Sequence, residues 1–376
     1  MRFRFISAGA AQGLIGSFAR DHDHDVEGSF GAVGAMLERL RSGEPADIVV
    51  LTHAQIAELT SKGEVVPGTA ADLGAVPTSI AVREGDAIPD VSSHDALRDA
   101  LLAADAIYFP DPAKATAGIH FAKVLDELGL RERVGERLRT FPNGATAMRA
   151  MSEAAGRPIG CTQSTEILAT RGVRLIAPLP RGLDLETVYT ASVHARGAQQ
   201  AAAEAFVAEL TGEGVRDMRR RAGFGGHAIR PATVRDHGGI RAVVSKVLEE
   251  YRLAPDPGDA DSDLANIGLS YGSGGTFDVV TDANGRIVGS CGVMRLDESH
   301  CELRKMYVLP AARGQGLGRR LLDRALAFAR GRGYARIELT TASVLTDAIA
   351  MYRRCGFAPI ERAMPGRCDQ AYALAL

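Results

Sequence analysis

The stretch CELRKMYVLPAARGQGLGR, Cys301 to Arg319, constrains this chain more than any other part of it. A strand pattern over Cys301 to Leu309 runs into a Pro and a turn of small residues. Arg313-Gly314-Gln315-Gly316-Leu317-Gly318 follows, then a helix carrying Leu321, Leu322, Ala325, Leu326 and Ala329. A glycine-rich start to a helix leaves backbone N–H groups aimed at open space, where they and the helix dipole hold phosphate oxygens. Strand, turn, arginine, alternate glycines and helix come in the order a phosphate cradle needs. Gly-x-Gly-x-x-Gly is absent, which excludes the dinucleotide fingerprint. No Lys-Ser/Thr pair follows the last glycine, which excludes a P-loop.

The motif resembles the acetyl-CoA site of the GNAT family of N-acetyltransferases, Arg/Gln-x-x-Gly-x-Gly/Ala, which it matches at Arg313, Gly316 and Gly318. The resemblance spans about Ala228 to Leu376, from IRPAT (Ile229 to Thr233) to AIAMYRRCGF (Ala348 to Phe357). It implies a GNAT α/β domain with a central mixed, largely antiparallel sheet, and acetyl-CoA as the cofactor. Pantetheine is expected along the backbone at Met306 and Val308, and the pyrophosphate on the N–H groups of Arg313, Gly314, Gln315, Gly316, Leu317, Gly318 and Arg319. Ser343 is a further cofactor contact. Tyr352 stands at the family's acid position and would protonate the leaving thiolate; a packed helix tyrosine is the alternative.

Glu302, on the strand that faces the expected reaction centre, is the candidate base, directly or through a water. A solvated or paired strand acid is the alternative. In the family the loop RLAPDPGDADSD, Arg252 to Asp263, borders the acceptor pocket. Tyr251, Asp256, Asp261, Arg367 and Asp369 are the candidate acceptor contacts, and together they suit an acceptor with both signs of charge, such as an amino-acid-like amine. Cys368 has no visible His-acid relay, so a cysteine intermediate is not expected.

Ahead of this domain, strands alternate with helices: Arg2 to Ala8, Pro45 to Thr52, Ser79 to Val82, Ala106 to Phe109, Pro158 to Thr162 and Val173 to Ile176. ISAGAAQGL, FGAVGAMLERLRSGEPADIVVLT (Phe30 to Thr52), FPDPAKATAG (Phe109 to Gly118) and Gln163-Ser164-Thr165-Glu166 resemble the molybdate-type and related extracellular solute-binding proteins. The resemblance implies a two-lobed periplasmic-binding-protein-like (type 2) domain closing on a small anion or organic acid. Ser7, Tyr108, Thr116, Gly118, Gln163 and Tyr189 are its candidate pocket residues. Val33 stands where the family commonly offers a Ser, and a Val side chain cannot donate to an oxyanion, which counts against molybdate.

At 376 residues the chain exceeds what one core normally supports, so two domains are expected, at 1–225 and 228–376. A net charge of -2 gives no reason to expect nucleic acid or a membrane surface as a partner. Five scattered cysteines without CxxC spacing suggest neither a disulfide scaffold nor a metal site, and Asp21-His22-Asp23-His24-Asp25 reads as a solvated loop. The opening residues alternate like a strand without a signal pattern, so a cytoplasmic location is expected. The leading reading is an acetyl-CoA-dependent N-acetyltransferase acting by direct transfer to a primary amine of a small molecule, with an N-terminal ligand-binding or regulatory domain. Two alternatives use the same residues: a protein lysine acetyltransferase, and a ligand sensor whose acyl-CoA-binding domain has little activity.

Overall fold

The computed structural model describes residues 1–364 and 366–376. The chain forms two compact units, Met1–His53 with Asp72–Gly226 and Ala54–Ala71 with His227–Leu376.

The strands of the first unit are β1 (Arg2–Ala8), β2 (Asp25–Gly31), β3 (Ile48–Thr52), β4 (Ala71–Arg83), β5 (Ala106–Pro110), β6 (Leu138–Phe141), β7 (Pro158–Gln163), β8 (Val173–Pro178) and β9 (Glu186–Val193). They run in the order β2-β1-β3-β9-β4-β7-β5-β6, with β8 also on β4. β1 pairs in parallel with β2 and β3, and β5 in parallel with β6 and β7, which gives one parallel group per lobe. The two groups are joined through antiparallel β4 and β9. IVVLT of β3 is a continuous apolar run because both faces of that strand are covered, its first four residues being buried. Helix starts follow several strand ends: Gly9–Ala11 after β1, Val33–Arg41 after β2, Thr116–Glu127 after β5, Gly144–Ser152 after β6 and Ser164–Leu168 after β7.

The second unit is built on β10 (Ala228–Pro231), β11 (Thr276–Thr281), β12 (Ile287–Arg295), β13 (His300–Val308), β14 (Arg336–Thr341), β15 (Ala358–Pro359) and β16 (Gln370–Ala375), in the order β10-β11-β12-β13-β14-β16-β15. Among the described residues only β13 and β14 pair in parallel, so the sheet is mixed and largely antiparallel. The Asp282–Gly285 turn links β11 to β12, with Gly285 at φ 79° and the Arg286 N–H donating to Asp282 Oδ1 at 2.9 Å. The helix Leu317–Gly331 buries Leu321, Leu322, Ala325, Phe328 and Ala329 against the sheet. On that face Arg324 is also buried, its guanidinium donating to Asp278 of β11 at 2.7 and 3.0 Å. A buried cation persists here because its partner is buried with it.

Two features position the site. β13 pairs with β14 only from His300 to Glu302, opposite Arg336 to Glu338, and the strands then part. Beyond that point β13 bulges: Ser290 faces Tyr307 but Gly292 faces Arg304, and Lys305 takes φ 51° to fit the extra residue.

Candidate active site

Where β13 and β14 part, a cavity of about 570 Å³ opens in the second unit. Met306 and Val308 line one wall, Thr340 and Thr341 the other, and the turn Arg313–Arg319 closes an end. Gly314 and Gly316 have φ of 78° and 72°, a region L side chains rarely adopt, and a Cβ on either would meet no atom within 4 Å. The turn is therefore glycine by backbone demand, and the space above it is open. Gly316 caps the helix Leu317–Gly331 without any side-chain capping bond, so the first N–H groups have no intrahelical partner. Gly318 lets the helix Thr346–Arg354 approach, with Met351 Sδ 3.6 Å from where a Cβ would stand.

Arg313 lines the cavity and is held by a two-point pair with Glu250 at 2.6 and 2.7 Å, by a bond to the Val308 carbonyl at 2.9 Å, and by the Tyr251 ring 5.7 Å from its guanidinium carbon. Tyr352 also lines the cavity and is 5 % exposed. Burial, with smaller contributions from Cys291 and Tyr307, pushes its phenol far above the ordinary range, so it keeps its proton. Of the expected cofactor residues, Met306, Val308, Arg313, Gly314, Gly316, Leu317, Gly318 and Arg319 all line this one space. Gln315 is exposed and not on its wall. Ser343 also points elsewhere, since its N–H and hydroxyl donate to Asp369 at 2.7 and 2.6 Å.

Glu302 requires a correction. It lies on the part of β13 still paired with β14, is 4 % exposed, and does not line the cavity. Its carboxylate is taken by Arg304 at 3.4 Å and Arg362 at 3.3 Å, and Arg362 also bonds Glu338 of β14 at 3.0 Å. The strand alternation that aimed Glu302 at the reaction centre is broken by the bulge at Lys305.

The acceptor residues divide in the same way. Tyr251 and Arg367 line the cavity, whereas Asp256, Asp261 and Asp369 do not. Asp261 is buried behind the wall, where Arg367 donates to both its oxygens at 2.8 and 2.7 Å and the Asp256 N–H at 2.9 Å. Burial opposes its ionisation, but Arg367, that N–H and Lys305 outweigh burial and hold the carboxyl below its ordinary value. Sequence reasoning missed Arg304, Lys305 and Tyr307 as wall residues. A bulge leaves no mark in an alternating strand pattern, so nothing in the sequence separated them from their neighbours.

In the first unit the expected pocket residues are mostly committed to the fold. The Ser7 hydroxyl is buried and donates to the Ala8 carbonyl at 3.0 Å. At Gly118 a Cβ would overlap the carbonyls of Pro110 and Asp111, so its glycine serves close packing rather than a ligand. Tyr108 stacks on Phe141, Tyr189 is buried edge-on to Phe224, and Thr116 opens its helix. Gln163 Nε2 donates to Thr187 at 3.2 Å, while its Oε1 is buried with no hydrogen-bond partner.

Glu166, missed as a site residue, is the organising group of this region. Its carboxyl accepts from the Thr162 hydroxyl at 2.6 Å and from the N–H groups of Gly144, Ala145 and Gln163. Burial nonetheless dominates and raises its pKa. Among the described residues no group of three or more His, Cys, Asp or Glu is arranged to hold a metal ion, and no helix is long and apolar enough to cross a membrane.

Residues 7–225 match the family model of bacterial extracellular solute-binding protein, and residues 240–357 that of the acetyltransferase (GNAT) family, a fold that typically binds acyl-CoA. An uncharacterized N-acetyltransferase of Escherichia coli, YjgM, is 38% identical over 141 residues, covering 36% of this chain and 84% of that protein. The aconitate isomerase of a Pseudomonas species is 26% identical over 177 residues, covering 47% of this chain and 66% of the isomerase. The periplasmic molybdate-binding protein of Azotobacter vinelandii superposes with a TM-score of 0.49 at 19% identity, over 59% of this chain and 98% of that one. The match of 7–225 to an extracellular family argues against the cytoplasmic location expected above. The chain belongs to the bacterial extracellular solute-binding protein family through residues 7–225 and to the GNAT acetyltransferases through residues 240–357, and is a fusion of the two.

Proposed function

We propose that the chain is an acetyl-CoA-dependent N-acetyltransferase that acetylates a primary amine of a small molecule, with residues 228–376 as the enzyme and residues 1–225 as an accessory ligand-binding or regulatory domain. The observation that carries this reading is that the open glycine turn and the protonated Tyr352 face one cavity, at the point where β13 loses its β14 partner. The residues fit an acyl-CoA. N–H groups from Gly314 to Arg319 receive the pyrophosphate, and the unpaired side of β13 at Met306 and Val308 accepts the pantetheine arm in sheet-like fashion.

The acceptor nitrogen attacks the thioester carbonyl, the new N–C bond forms and the C–S bond breaks. The nitrogen releases a proton to solvent, and the sulfur takes the Tyr352 proton, which solvent then replaces. Holding both reactants in one enclosed space supplies much of the acceleration. With Glu302 neutralised by Arg304 and Arg362, no carboxylate base is assigned, and the amine reacts from its neutral form. For the first domain a small anion or organic acid is the ligand class, in keeping with a relative whose name makes it an aconitate isomerase.

The test is acetyl-CoA turnover over an amine panel, with products detected by mass. An acetylated small amine, with kcat lowered about 10- to 100-fold by Tyr352→Phe, supports the reading. Acetylation of protein lysines alone, with no small amine modified, would overturn it.

A further inference from the structure

The sign of charge on the acceptor side of the cavity is the opposite of what the loop sequence suggests. Asp256, Asp259, Asp261 and Asp263 make the loop before β11 acidic, and an acidic loop attracts a cationic amine. None of the four lines the cavity. The charged residues that line it there are basic: Arg304 and Lys305 from the bulged strand and Arg367 from the segment after β15. Their counter-charges lie behind them. Lys305 Nζ is 2.9 Å from Asp263 and 3.3 Å from Asp261, and donates to the Ala260 carbonyl at 2.6 Å. Arg304 meets Asp263 and Glu302, each at 3.4 Å, and the Ala260 carbonyl at 2.8 Å. Arg367 is braced by both oxygens of Asp261. Asp263 is held further back by the Tyr271 hydroxyl. Among the described residues the one carboxylate on the cavity wall is Asp347, on the helix that carries Tyr352.

We infer that the acceptor carries a carboxylate beside its reactive amine, as an α-amino acid does, and that Arg367, with Arg304, receives that carboxylate. The inference rests on the acetyltransferase reading and names its substrate class. The field inside a cavity is set by the charges nearest to it. A guanidinium fixed by a buried acid keeps its geometry for a second carboxylate, and charge-assisted bonds of that kind are the strong ones. A polyamine or aminoglycoside would bring several cations to a wall with no carboxylate on the acceptor side, a mismatch that disfavours wrong partners.

The test compares kcat/KM of the full-length protein with acetyl-CoA for α-amino acids, each paired with its own carboxamide, and for spermidine and putrescine. The expected result is that the best amino acid exceeds its carboxamide by about tenfold or more, with both polyamines poorer. Arg367→Gln should bring that ratio to within about threefold. Arg304→Gln should move it the same way and serves where the first variant does not fold. A carboxamide or polyamine used as well as the acid overturns the inference while the acetyltransferase reading stands. So does a ratio that neither variant alters. Coenzyme A binding without acetylation of any small amine sinks both together.

Discussion

Glycine stands at the start of the helix Leu317–Gly331, as its cap Gly316, and of the helix Gly144–Ser152, as its first residue, and the two differ in what stands in front of them. At Gly316 a side chain would meet empty space, and the N–H groups beyond it face an open cavity. At Gly144 a Cβ would overlap Glu166 Oε2 and Thr162 Oγ1, because the chain has placed its own carboxyl over the helix start. The same local feature faces open space in one case and the chain's own carboxyl in the other. What fills the space before such a helix start depends on residues distant in sequence.

The sharpest way to break this contrast is Gly144→Ala. Overlap with two buried polar groups should cost about 3 kcal/mol and lower the thermal midpoint of the first unit by several degrees. If the substitution is neutral, Glu166 does not fill that space.

Gly316→Ala should behave in the opposite way. With open space around it, only the left-handed backbone resists, at about 1 kcal/mol. The loss appears instead in coenzyme A binding, weakened about tenfold as the backbone leaves its cradle conformation. Equal effects of this substitution on folding and on binding would erase the distinction between the two sites.

A smaller effect concerns pH. Burial raises the Glu166 pKa above its ordinary value of 4.5, so the native protein keeps this proton when the unfolded chain has lost it. Its contribution to stability is full below the ordinary value and is lost as pH rises through the raised one. Melting curves from about pH 4 to about pH 7 should therefore decline less steeply for Glu166→Gln than for the wild type. An unchanged slope would mean that the backbone N–H groups balance burial completely.

The smallest effect is expected at Glu250. Its pair with Arg313 is partly exposed, so Glu250→Gln should change folding stability by less than about 1 kcal/mol. A large loss would show that the pair organises the turn rather than merely flanking it.

Much of this architecture is legible in the sequence where one physical signal dominates. Ile48–Thr52 reads as a buried strand because it is continuously apolar, and Arg313–Gly318 as a phosphate turn because its glycines precede an amphipathic helix. β2, Asp25–Gly31, escapes because it is a polar edge strand whose Gly28 packs on the Phe5 backbone. The short helix Ile267–Gly272 escapes because two of its six residues are glycine. Glu302 was aimed wrongly because its surroundings depend on where β13 and β14 part and on a bulge three residues later. Asp261 reads as an acceptor contact in the sequence, whereas Arg367, far along the chain, holds both its oxygens. The misses at Glu302 and Asp261 share a cause: each is decided by a tertiary partner that no local pattern encodes.

The most direct measurement is calorimetric titration of the full-length protein with coenzyme A and, separately, with pantetheine, which lacks the pyrophosphate. An open cradle at Gly314–Arg319 predicts that coenzyme A binds and that pantetheine is weaker by about a hundredfold. Equal affinities, or no binding of coenzyme A, would contradict the assignment of that helix start to a ligand.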